Sequence, residues 1–124
     1  MNIFNLLFRK KNNRDIPPML SWEFIVKKMR DRDLDAFACE VVDIIYSKDC
    51  SMRYVILKEE NGLFSYQLEA IYQYHEDEWQ YICSNDNTLA MWEPFRGILG
   101  SPSFESINEL FLNLKAEPEY KQYF

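Results

Sequence analysis

The sequence predicts an α+β domain: N-terminal helices, then a three- to four-stranded antiparallel meander, then a C-terminal helix packed on one sheet face. Three observations carry that prediction. Apolar residues recur at helical spacing between positions 22 and 46 and again between 104 and 114, whereas from Phe64 they alternate with polar ones at a period of two. The 124 residues divide into a basic appendage at 1–18 and one domain at 19–124.

The appendage carries Ile3, Phe4, Leu7 and Phe8, then Arg9-Lys10-Lys11-Asn12-Asn13-Arg14, and closes on Pro17-Pro18, whose rings stop any helix before them. Ser21 then stands where an N-cap hydroxyl can accept from the open first turn, with Leu20 and Ile25 at hydrophobic-staple positions, so a helix is expected from Trp22 to Arg30. Leu34, Phe37, Ala38, Val41, Val42 and Ile45 share one helical stripe and predict a second helix from Asp33 to Tyr46. The β-branched run at its end suits a buried strand equally well, which leaves residues 39–46 open between helix and strand.

Strand signals follow. Met52 to Glu59 is β-rich and leads into Asn61-Gly62, the dipeptide that tolerates positive φ at both central positions of a type I′ turn. Phe64, Tyr66, Leu68, Ala70, Tyr72 and Tyr74 then alternate with polar neighbours, and Trp79, Tyr81 and Cys83 resume the alternation beyond the connector His75-Glu76-Asp77-Glu78. Ser84 to Asn87 reads as a turn and Thr88 to Trp92 as a last short strand closed by Pro94. Residues 96–102 hold two of the three glycines and form a loop, after which Ser103 is expected to cap a helix with Phe104, Ile107, Leu110, Phe111 and Leu114 on one stripe, ended by Pro118. Glu119 to Phe124 is too aromatic for a free tail and is expected to pack on the body.

Apolar residues at 48% and aromatics at 16% exclude a disordered chain. Cys39, Cys50 and Cys83 are an odd set without C-x-x-C spacing, and no signal-peptide pattern precedes them, so reduced thiols and a cytoplasmic location are expected. The net charge of -6 conceals a division: eight basic residues against three acidic ones through Arg32 give +5, and six against seventeen from Asp33 onward give -11. An acidic body repels phosphate backbones and attracts cations over roughly 8 Å at physiological salt, so the expected partner is a basic protein and not nucleic acid. The apolar-then-basic order of the appendage suits an anionic membrane surface, but one short segment binds weakly, and no membrane attachment is expected.

No catalytic, metal or cofactor constellation emerges. His75, the single histidine, lies against Glu76, Asp77 and Glu78, which favour the imidazolium over the neutral base that a nucleophilic triad requires. One histidine with three scattered cysteines gives no zinc spacing. Glu69, Glu93 and Asp43 are carboxylates that a cleft would have to bring within about 5–10 Å for glycosidase chemistry. No phosphate-cradling glycine loop, H-E-x-x-H, G-x-S-x-G or EF-hand pattern occurs.

The remaining signal is a surface one. The connector places an acidic tip on a hairpin, with Trp79 after it and Trp92-Glu93-Pro94 closing the meander; charge accelerates encounter and aromatics anchor the contact. The expected partner-binding set is therefore Glu76, Asp77, Glu78, Trp79, Asp86, Trp92 and Glu93.

Trp92-Glu93-Pro94, the helix near Phe104 and the run Glu117-Pro118-Glu119-Tyr120-Lys121-Gln122-Tyr123-Phe124 resemble small Gram-positive bacterial proteins that are similar to immunity proteins of polymorphic-toxin systems. The resemblance covers about the last two-thirds of the chain through short motifs. It implies an antitoxin that covers the active site of a cognate toxin, often a basic nuclease, and it carries over no binding residue. An acidic secretion or assembly chaperone, or a small ligand-binding or hydrolytic domain with an aromatic cleft, are the alternatives.

Overall fold

The computed structural model describes residues 21–35, 37–75 and 89–124. Ser21 opens helix α1 (Trp22–Met29), its hydroxyl accepting the Phe24 N–H at 3.2 Å, as the capping argument requires. Ile25 and Met29, one turn apart, are the residues this helix buries.

Beyond α1 the expected second helix does not form. Asp31 and Asp33 both adopt a left-handed φ of 60°, and Glu40–Tyr46 is strand β1. Side chains branched at Cβ decide the matter, since Val41, Val42, Ile44 and Ile45 lose rotamer freedom on a helix and pack well on a sheet. A bulge between Val41 and Asp43 leaves Val42 facing solvent. One interruption of a two-residue alternation imitates helical spacing, which is why the stripe misleads.

Strands β2 (Met52–Lys58), β3 (Phe64–Gln73) and β4 (Ala90–Pro94) complete a four-stranded antiparallel sheet in the order β1-β2-β3-β4. The meander is thus present with its fourth strand supplied by β1. The β2–β3 connection has Gly62 alone at positive φ, 85°, with its N–H donating to Glu59 at 2.9 Å and the Glu59 N–H donating to Leu63 at 2.8 Å. This is a three-residue loop closed by a left-handed glycine and not the expected two-residue type I′ turn. Asn61 instead accepts the Leu63 N–H through Oδ1. β3 pairs directly with β4 from Glu69 opposite Pro94 to Gln73 opposite Ala90. The strand expected at 79–83 and the turn at 84–87 lie outside the described residues.

β4 is shorter than β3, and the chain beyond the 3-10 turn Phe95–Gly97 covers the edge it leaves bare. Phe104 exchanges both backbone hydrogen bonds with Phe64, at 2.8 and 2.7 Å, and Ser101 N–H donates to the Tyr66 carbonyl. Phe104 is therefore strand-like, and Ser103 caps no helix, its hydroxyl donating to Glu59 Oε1 at 2.7 Å. Helix α2 (Ile107–Lys115) starts three residues later than expected, at Ser106, whose hydroxyl accepts the Glu109 N–H. Pro118 opens a further helix, α3 (Pro118–Tyr123), where it was expected only to end one: at the first helical position its missing N–H has no intrahelical partner to lose.

The two sheet faces bury different chemistry. On one, Tyr54, Ile56 and Tyr66 pack under Leu110 and Leu114, with Tyr120 and Phe124 of the C-terminal segment joining the cluster as expected. On the other, Ile25 and Met29 pack against Trp92, bordered by Tyr46, Ile71 and Ala90.

Candidate functional site

Glu117 is the N-cap of α3, yet its side chain makes no capping bond and turns inward to the sheet. Its Oε1 accepts from the Tyr54 hydroxyl at 2.8 Å, and its Oε2 lies 2.5 Å from the Tyr66 hydroxyl, which also reaches Asn113 Oδ1 at 2.7 Å. A hydroxyl has one proton, so Tyr66 donates to one acceptor at a time. Burial first, then hydrogen bonding to Glu117, then the charges of Glu117 and Glu119, push both phenols far above the ordinary tyrosine range. Both stay protonated and keep donating, which holds the carboxylate in place as an acceptor.

Beside this group lies a cleft of about 290 Å³ walled by Leu68, Phe95, Ile98, Pro118 and the ring of Tyr66, with Glu117 and Glu119 as its acids. The loop that forms one wall is tied to β3 by side-chain and backbone bonds. Tyr66 N–H donates to Ser101 Oγ at 2.8 Å, Gly100 N–H to Gln67 Oε1 at 2.6 Å, and Gln67 Nε2 to the Ile98 carbonyl at 2.9 Å. Arg96, Gly97 and Gly100 all have positive φ, at 54°, 72° and 62°. Two glycines take that conformation without steric cost, while Arg96 is held there at a cost of order 1 kcal/mol. The loop so bent exposes Ile98, which lines the cleft, and its neighbour Leu99, which does not, at 63% and 80%.

The opposite face holds a buried ion pair. Tyr46, Arg53 and Glu69 form one cross-strand row, and Arg53 Nε donates to Glu69 Oε1 at 2.8 Å. Its guanidinium lies 4.1 Å from the Trp92 ring, whose indole N–H donates to the Met29 carbonyl at 2.7 Å. Arg53 is fully buried, and among the described residues its two terminal nitrogens have no hydrogen-bond partner. Desolvation raises the Glu69 carboxyl above its usual range although Arg53 pulls the other way. Tyr46 completes the group, accepting the Asp31 N–H at 2.7 Å and donating to Asp31 Oδ1 at 2.6 Å. Burial, then the bond to Asp31, raises its phenol.

Of the residues expected to contact a partner, Glu76, Asp77, Glu78, Trp79 and Asp86 lie outside the described residues. Trp92 is only 4% exposed, so it is a core residue and not a surface anchor: the pleat turns it under α1 and onto Arg53. Glu93, opposite Ala70, is partly exposed on the other side of the pleat. The three carboxylates weighed for a catalytic pair are not assembled. Glu69 is bound to Arg53, Asp43 is exposed and accepts the Ile44 N–H, and Glu93 projects from the face opposite Glu69. His75 is exposed just past β3, edge-on to Tyr72 at 6.0 Å. Cys39 and Cys50 are free thiols, and among the described residues no group of three metal-ligating side chains comes together.

Glu117, Glu119, Tyr66 and Ile98 did not emerge from sequence reasoning, because they come from separate segments. The legible signals were Ile98-Leu99, an apolar pair held between Gly97 and Gly100 in a loop, and Glu117-Pro118, a helix-opening dipeptide.

Comparison with protein-family models, curated proteins and solved structures returns no match to this chain. No helix among the described residues is long and apolar enough to cross a membrane.

Proposed function

We propose that this chain is a non-catalytic acidic binding protein of the cytoplasm that covers a basic surface of another protein, as an immunity protein or antitoxin covers its toxin. The observation that supports this most is the cleft just described: apolar walls at Leu68, Phe95 and Ile98 leading to two carboxylates, set in a body with seventeen acids against six basic residues from Asp33 onward. Apolar anchors around a charged recess give contact area and orientation together, and the acidic field accelerates encounter with a cationic partner.

The test is to mix the purified chain with the product of its adjacent gene and measure association by stopped-flow or surface plasmon resonance. A micromolar or tighter complex whose association slows with added salt is expected; no complex at micromolar concentration overturns the proposal. Reversing Glu76, Asp77 and Glu78 together reports on the acidic tip, while Ile98→Asp reports on the cleft wall.

A small-ligand site is the second reading, favoured by the same volume. Hydrolysis is the weaker form of it, because Glu117 and Glu119 are two residues apart at one helix start, where side chains diverge rather than face each other across a bond.

A further inference from the structure

We infer that the cleft between β3, the loop at 95–102 and α3 is a receptor for a single arginine side chain flanked by apolar residues on a partner protein. This deepens the reading above and rests on it.

Charge complementarity and lone-pair geometry lead to arginine. Among the described residues no cation lies within ion-pair distance of Glu117 or Glu119, although both acids line the same recess. A carboxylate offers about four acceptor sites, and the two tyrosine hydroxyls take at most one on each Glu117 oxygen, so at least one site per oxygen is left. Two acceptors on one rigid carboxylate match the parallel N–H groups of a guanidinium, which an ammonium cannot reproduce. The aliphatic stem would lie along Leu68, Ile98 and Pro118 while the head reaches the acids. About 290 Å³ is near the lower end of ligand-pocket volumes, on the scale of one long side chain. Ile98, a lining residue left 63% exposed, and Leu99 beside it in the same loop would meet the apolar neighbours of that arginine.

The experiment titrates the isotope-labelled full chain with acetyl-Leu-Arg-Leu-amide, its lysine and norleucine analogues, and follows backbone amides by NMR. Saturable shifts at Gly100, Ser101 and Glu119 are expected with the arginine peptide, with affinity about tenfold lower for lysine and no saturation for norleucine. Glu119→Gln, which leaves both tyrosine bonds to Glu117 in place, should weaken the arginine peptide about two- to fivefold. Equal binding of the norleucine peptide, or no saturable shift at millimolar peptide, overturns the inference. Failure here and failure of the broader reading are separable: a protein partner that binds the Glu119→Gln and Ile98→Asp variants as tightly as the parent keeps the binding role and removes the cleft from it. A saturating arginine peptide with no protein complex does the reverse.

Discussion

The two faces of the sheet solve the same problem, burying a polar group, in opposite ways. Under α2 and α3, Glu117 is met by two neutral phenols and stays open to the cleft. Under α1, Glu69 is met by a charge, and Arg53 is fully enclosed with two of its nitrogens unbonded among the described residues. A carboxylate held by neutral donors keeps its charge available to a visitor. One neutralised by an internal guanidinium has none left to offer, and breaking the pair strands the partner in low dielectric. The contrast is between a carboxylate that lines a cleft and one enclosed with its counter-charge.

The largest effect should come from breaking that pair. Glu69→Ala leaves Arg53 buried without its one ionic partner and should destabilise the fold by about 3–5 kcal/mol in urea melts. Arg53→Met with Glu69→Leu removes both charges together and should restore much of that loss, since apolar replacements of buried pairs are often neutral. A double variant as unstable as the single one would mean that the ring contact with Trp92 carries the stability instead. On the other face Tyr66→Phe takes one donor from Glu117 but leaves Tyr54, and the half-buried carboxylate can turn to water. A loss of about 0.5–1.5 kcal/mol is expected there.

Smaller, and diagnostic of sign, is the pH dependence. Glu69 titrates above 4.5 in the fold, so just above that pH the native state holds a proton that the unfolded chain has released. Its contribution to stability therefore declines as pH rises through this window. Asp49 runs the other way. Bonds from the Ser51 hydroxyl and N–H lower its carboxyl below 3.8, so its contribution is present above that value and is lost as pH falls toward the folded one. The slope of the urea midpoint just above pH 4.5 should flatten in Glu69→Gln and be unaltered in Asp49→Asn. The smallest effect belongs to Leu99→Ser, which should change stability by under about 0.5 kcal/mol because the side chain is 80% exposed. A larger loss would make Leu99 a structural part of its loop.

How legible each face was in the sequence follows from where its signals lie. Ser21, Met52 to Lys58 and the alternation from Phe64 act locally, so capping and periodicity placed them. β1 was ambiguous because a bulge shifts its alternation by one residue. Phe104 went to a helix because the bare edge it covers exists only once β4 proves shorter than β3. The cleft was illegible for a related reason: Tyr66 and Glu117 are 51 residues apart and meet only in the folded chain. Trp92 shows the limit from the other side, since an indole suits an interface and a core equally, and only the pleat direction decides.

The bulge in β1 has a consequence for neighbours of the same kind. This strand ends the sheet, and a flat outermost strand is a template on which another chain can add its own. Val42 breaks the ladder there, Asp43 already occupies the Ile44 N–H, and Glu40 and Asp43 set negative charge along the rim. The Val-Val-Asp-Ile-Ile run is the kind of β-branched stretch on which another strand can add, and one carboxylate and one irregular residue interrupt it, which disfavours edge-to-edge pairing of copies.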